Sequence, residues 1–197
     1  MIFNKIEKFR IMTRTIFYLI IFMVISTNVD AQKYFTRDGK VSFFSEAPLE
    51  KIEAHNSKAT SVMDVASGRI EFAILIKAFQ FEKALMQEHF NENYMESDKY
   101  PKATFKGTIT NIDAIDLKKN GEYEVSVKGD LTIHGETKTI ETSGKIIVND
   151  GQISANASFE ALVEDYKIEI PAIVKDNIAK SVQIEIAVDY EELNKGS

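Results

Sequence analysis

The chain contains no cysteine. That excludes disulfides, thiolate catalysis, zinc–thiolate sites and lipid acylation on cysteine, and leaves the fold to be held by its core alone. With 197 residues, one domain can build such a core without staples. Tryptophan is also absent, and histidine is confined to His55, His89 and His134. None of the three stands at a helical i, i+4 spacing from another, so the pattern offers no pair of imidazoles for a metal. Basic residues are outnumbered, 24 against 30 acids, for a formal net charge of −6. A nucleic-acid partner would call for a basic patch, and an acidic chain argues against one. No Gly-rich loop opens a helix to cradle phosphate, and no Gly-x-Ser-x-Gly elbow presents a nucleophile. There is no internal repeat and no low-complexity tract.

One unbroken apolar run, Ile16 to Ile25, follows a basic opening of Lys5, Lys8, Arg10 and Arg14. Ten residues are too few to span a bilayer comfortably, and Val29-Asp30-Ala31 places small residues at −3 and −1 of a cleavage site. The reading is an export signal over residues 1–31, cut between Ala31 and Gln32; an uncleaved anchor is the rival. Cleavage removes those four bases and the acids Glu7 and Asp30, which moves the charge from −6 to −8. The remainder, 32–197, reads as a single exported domain with no membrane span.

What is present is strand alternation, interrupted once. In residues 85–110, Met86, Phe90 and Tyr94 recur at i, i+4, i+8 and share a helical face. The spacing predicts one helix over about residues 82–95. Pro101 stops it, and from Ala103 the period drops to two, with Ala103, Phe105, Gly107 and Ile109 on one face. Upstream, Asp38-Gly39 reads as a hairpin turn between strands Lys33–Thr36 and Lys40–Ser45, and Arg69–Lys77 as a strand with Ile70, Phe72, Ile74 and Ile76 on one side. Downstream, Asn120-Gly121 suits a type I′ turn, Gly129 marks a bulge or sharp bend in a long strand, and His134-Gly135 and Asn149-Asp150-Gly151 turn the chain. The last strand, Ser181–Tyr190, alternates Val182, Ile184, Ile186, Val188 and Tyr190. Long strands, tight turns and one inserted helix predict a mainly β fold, an extended antiparallel barrel or strongly curled sheet.

Little in this pattern points to catalysis. Acid pairs such as Glu122/Glu124 and Glu191/Glu192 fall on the solvent face of alternating strands. His89 with Glu88 or Glu92 is the one acid/base candidate, and a surface or half-buried histidine on an amphipathic helix is the simpler account of it. No cofactor or metal site is signalled. The inward apolar surface remains: Phe72, Ile74, Phe105, Ile109, Val125, Val127, Leu131, Phe159 and Ile184 point inside if the sheet closes. They form either a filled core or the lining of a cavity for an apolar ligand. Small inner residues such as Ala155 and Ala157 leave room for the second.

Three stretches resemble the YceI-like family of exported bacterial proteins: His89-Phe90, Lys99-Tyr100-Pro101-Lys102-Ala103-Thr104-Phe105-Lys106-Gly107, and Gly129-Asp130-Leu131-Thr132-Ile133-His134-Gly135-Glu136-Thr137-Lys138. They occur in the family's order. The resemblance implies a lipocalin-like barrel with one helix that holds a polyisoprenoid or quinone-like lipid along its axis in the periplasm, and it brings no catalytic residue. Two departures stand out. Ser42-Phe43-Phe44-Ser45 lacks the preceding histidine, and Glu82-Lys83-Ala84-Leu85 replaces an Arg-Asp approach to the helix. Glu50–Val65 also looks short, which predicts a compressed first wall. The alternative function is a filled barrel, a non-enzymatic stress-related interaction or structural module.

Overall fold

The computed structural model describes residues 32–172 and 178–193. The expected export segment and the middle of the Pro171–Ala179 linker lie outside them. The strands are β1 (Lys33–Glu46), β2 (Lys51–Asp64), β3 (Arg69–Leu75), β4 (Gln80–Phe81), β5 (Lys102–Ile109), β6 (Gly121–Ile133), β7 (Glu136–Asn149), β8 (Gln152–Leu162) and β9 (Ser181–Glu192). All pairings are antiparallel, in the order β1-β9-β8-β7-β6-β5-β3-β2, with β4 a short flap on β2. β1 pairs with both β9 and β2, so the sheet closes into a barrel and leaves no long exposed edge. This is the mainly β antiparallel barrel that the alternation predicts, in the lipocalin-like form that the resemblance implies.

Period-two patterning decides which side of each strand is inside. In β5, Phe105 and Ile109 are buried while Lys106 and Thr108 face out. The two ends of the barrel differ. At one end β2–β3 and β7–β8 are joined by tight turns, the latter with Asp150 and Gly151 both at positive φ (49° and 83°). Beneath those turns Tyr34, Val148, Ile153 and Tyr190 are buried, and Ser61 shares a buried 2.8 Å hydrogen bond with the Tyr190 hydroxyl. Burial pushes that hydroxyl up to about 12, against a smaller downward pull from Ser61. At the opposite end β3 stops, β5 begins, and the chain between them builds a cover.

Several expectations need correcting. Asp38-Gly39 is no hairpin turn: β1 runs straight through it. Gly39 is there because a Cβ would meet Val188 at 2.9 Å and the Ala59 carbonyl at 3.0 Å. The pairing with β2 shifts on both sides of Gly39, and Asn56, opposite, fixes the irregularity by donating to the Leu75 carbonyl and accepting from the Lys58 amide. The first wall is therefore not compressed, since β1 and β2 each span 14 residues. β3 ends at Leu75, and Ile76–Ala78 forms a 3-10 turn whose first amide bonds the Pro101 carbonyl. Asn120 and Gly121 do not adopt the positive φ of a type I′ turn; the Asn120 side chain instead ties to Asp150.

Gly129 carries no bulge, because its pairing with both Gly107 and Ile140 is in register. It is a close-approach glycine. The Phe105 ring lies across Gly107 and Gly129, where added Cβ atoms would meet its Cζ at 2.5 and 2.8 Å.

The helix is shorter than expected and changes type. It is α1 (Ala84–His89), continued by a π-helical turn over Phe90–Tyr94. The Asn91 side chain donates to the Gln87 carbonyl, and Met95 and Ser97 reach back to Phe90 and Asn91 with widened spacing. The widening keeps Phe90, Tyr94 and Met95 turned toward the barrel.

Candidate functional site

The barrel interior is not filled. A cavity of about 350 Å³ runs into it from the covered end, near the lower bound of about 300–1,000 Å³ usual for small-molecule clefts. Its walls are mainly hydrocarbon, with Thr142, Lys145 and Asn156 as their polar members. β3 contributes Phe72 and Ile74, β5 Phe105 and Ile109, β6 Val125, Val127 and Leu131, β8 Phe159, and β9 Ile184. The inward positions read from the alternation thus all reach one space. Ala155, Ala157 and Gly144 line it too. Gly144 has no room for a side chain, because a Cβ would meet the Asn156 carbonyl at 2.6 Å. The two alanines are what keep this wall thin.

The rim comes from segments that alternation does not cover. Phe43, Phe79, Phe81 and Phe90 pack into one aromatic group: Phe43 stacks on Phe90 at 5.4 Å between centroids, and Phe81 lies 5.0 Å from Phe90. Such pairs hold their mutual orientation through ring quadrupoles as well as area. Met86, Tyr94 and Met95 extend the rim along the helix, and Ile133, Val163, Tyr166 and Ile168 extend it on the other side. Phe43 shares the inward face of β1 with Val41 and Ser45. Phe79 and Phe81 follow a 3-10 turn that sequence pattern does not reveal.

Polar groups at the rim are few: Ser45, Glu50, His89, Tyr94 and Tyr166. The Ser45 hydroxyl accepts from the Ala179 amide at 3.1 Å. Glu50 pairs with Lys83 at 3.4 Å. Burial, with a smaller contribution from the Glu50 charge, raises the Tyr94 hydroxyl above its ordinary range. Tyr166 is pushed up to about 12, by burial first and then by Asp165.

The acid/base reading of His89 finds no geometry. His89 is exposed at the cavity rim, while Glu88 and Glu92 line a separate shallow depression on the outer side of the helix. A different array does form outside the barrel. The Ser42 hydroxyl lies 2.8 Å from His55 Nδ1, and His55 Nε2 lies 2.8 Å from Glu53. It has the order of a hydrolytic triad but lies outside both the barrel cavity and the depression beside the helix, and Ser42 pairs on both sides, with β2 and β9, so its backbone offers no oxyanion donor. Among the described residues no three His, Asp or Glu side chains gather to hold a metal.

A closed antiparallel barrel with one helix over an apolar cavity meets a family match here. The model of the YceI-like domain matches residues 25–190. The chain belongs to the YceI-like family. UPF0312 proteins of Vibrio cholerae are 32% identical over 85 residues, which is 43% of this chain and 41% of theirs. The matched stretch thus spans under half the length of these relatives. Among solved structures, a polyisoprenoid binding domain from Saccharophagus degradans superposes with a TM-score of 0.72 at 15% identity, covering 83% of this chain and 99% of that domain. Burkholderia cenocepacia BcnA superposes at 0.64 and 19% identity, covering 78% and 96%. At these identities the likeness is one of fold. No helix among the described residues of this YceI-like protein is long and apolar enough to cross a membrane.

Proposed function

We propose that this YceI-like protein is a non-enzymatic carrier of an apolar lipid, a polyisoprenoid or quinone-like chain, held inside the barrel. In this reading the chain is exported to the periplasm, residues 1–31 are removed after Ala31, and residues 32–197 work as one domain. The observation that carries it is the hydrocarbon-walled cavity in place of a filled core. The Saccharophagus degradans domain of the same fold is named for polyisoprenoid binding, which supports the choice of ligand class. Phe72, Ile74, Phe105, Ile109, Val125, Val127, Leu131, Phe159 and Ile184 would grip the chain, and the polar rim groups would face its head.

Affinity follows from area. Burying about 300 Å² of hydrocarbon at ~25 cal/mol per Å² is worth about 7 kcal/mol before ordering costs. That places binding at micromolar strength at best. The test is native mass spectrometry of protein purified from its own host, before and after organic extraction. A stoichiometric isoprenoid or fatty species establishes the carrier. A clean apo mass that persists after incubation with quinone and isoprenoid lipids transfers the function to the barrel's outer surface.

A further inference from the structure

His134 was expected to be no more than a turn residue. The structure makes it the centre of a junction. It occupies the β6–β7 turn at φ 51°, and its side chain is only 10% exposed. Nδ1 lies 3.1 Å from the Tyr166 carbonyl and Nε2 lies 3.0 Å from the Glu96 carboxylate, while the Tyr100 ring packs edge-on at 4.6 Å. Both nitrogens therefore face acceptors. A carbonyl oxygen only accepts, so Nδ1 carries a hydrogen. An ionised carboxylate only accepts, so satisfying both acceptors at once takes a hydrogen on Nε2 as well. An imidazole protonated at both positions is a cation.

A second observation converges on the same place. Four non-glycine residues among those described have positive φ: Glu96, His134, Asp150 and Lys167. Asp150 belongs to the β7–β8 turn. The other three are the two members of the ion pair and the residue after Tyr166. Backbone strain of this kind persists where surrounding structure enforces it, and it gathers at clamps and switches. Gly135 completes the junction at φ 80°, where a Cβ would meet the Tyr100 ring at 2.6 Å.

Each partner adjoins the cavity. Tyr166 lines it, and His134 and Glu96 directly follow the lining residues Ile133 and Met95. We propose that His134, Glu96 and the Tyr166 carbonyl form a proton-dependent latch that holds the helix-side cover of the cavity to the segment after β8. The release of ligand through this latch rests on the carrier reading above; the latch itself does not. The surrounding charges are mostly matched. Lys99 shares Glu96 at 3.9 Å and lies 4.7 Å from the Tyr100 ring, Lys138 pairs with Asp165 at 3.3 Å, and Lys167 pairs with Glu136 at 2.8 Å. None of these bases reaches the Tyr166 carbonyl or replaces the ring. When the ring loses its second proton, the Nε2 lone pair faces the carboxylate and the contact turns repulsive. Histidine is the side chain that makes this change between about pH 5 and 8.

The test uses three proteins: wild type, Glu96→Gln and Glu96→Ala. A glutamine amide donates to a neutral ring nitrogen, so E96Q keeps the latch shut without the proton, whereas E96A leaves it open. Nitrogen NMR of the His134 ring in the wild type is expected to show both nitrogens protonated at pH 5.5 and one at pH 8.5; a neutral ring at pH 5.5 overturns the latch. Farnesol loaded into the wild type is expected to leave about fivefold faster at pH 8.5 than at pH 5.5. E96Q should release slowly at both pH values and E96A quickly at both. Wild-type release that ignores pH, or E96Q release that follows the wild-type profile, sinks the proposal. If farnesol does not bind at all, the carrier reading fails instead. The latch is then decided by amide exchange of Lys99 and Tyr100, corrected for intrinsic rates, on the same three proteins: the wild-type-only pH dependence upholds it, and equal protection throughout rejects it.

Discussion

The two ends of the barrel are made from the same alternating strands, and one is solid while the other is hollow. At the solid end Tyr34, Val148, Ile153 and Tyr190 are all buried against one another. Toward the hollow end the inward positions of β8 are Ala155, Ala157, Phe159 and Ala161, and those of β9 include Ile184 and Val182. Alternation sets which way a side chain points, and side-chain volume sets whether the space is used up. The solid end supplies stability that lets the hollow end leave apolar surface unpartnered.

Matched substitutions at the two ends sharpen that contrast. Ile153 is 2% exposed and does not line the cavity. Ile153→Ala should cost about 3 kcal/mol in urea unfolding, with lipid affinity of the folded fraction unchanged. Val127→Asp places a charge in the cavity wall instead. It should weaken isoprenoid binding by more than about 2 kcal/mol, read by titration with a fluorescent isoprenoid alcohol; a variant that folds and still carries lipid would remove Val127 from the lining. Tyr190→Phe leaves the Ser61 hydroxyl without its partner and should cost about 1–2 kcal/mol. It also has a pH signature. Tyr190 is raised to about 12 when folded, against about 10 unfolded. The unfolded chain loses its proton first on raising the pH. The wild type therefore has its full stability below pH 10 and loses it as pH rises through 12, more steeply than Y190F. Smallest is Phe159→Ala. With the cavity already on one side, it should cost under about 1.5 kcal/mol without lipid, less than the same truncation in a filled core.

The fold was legible because its main signal is local. Inward faces of β3, β5, β6, β8 and β9 follow from a period of two, and the lining residues named from that period share one space. Two kinds of feature escaped. Glycines required by a distant backbone look like turn or bulge glycines in sequence: Gly39 is set by Ala59 and Val188, and Gly129 by Gly107 and the Phe105 ring. Part of the cavity rim escaped because Phe79, Tyr166 and Ile168 sit on 3-10 turns and loops, and Phe81 on the two-residue β4, all placed by tertiary packing. His134 was visible as a turn residue, but its two acceptors come from residues 38 and 32 positions away.

The closure of the barrel has a kinetic consequence. β1 pairs with β2 nearby but also with β9, Tyr34 lying opposite Glu192. As the chain emerges from its N-terminus, one edge of β1 waits for the last strand, and contacts of such separation are slow to form. Until β9 arrives the growing sheet is open along β1 and β8, and the cavity has no complete wall. On the proposed carrier reading, loading with lipid is thereby deferred to the end of folding. A chain stalled before residue 181 would present its apolar face to chaperones rather than to a ligand.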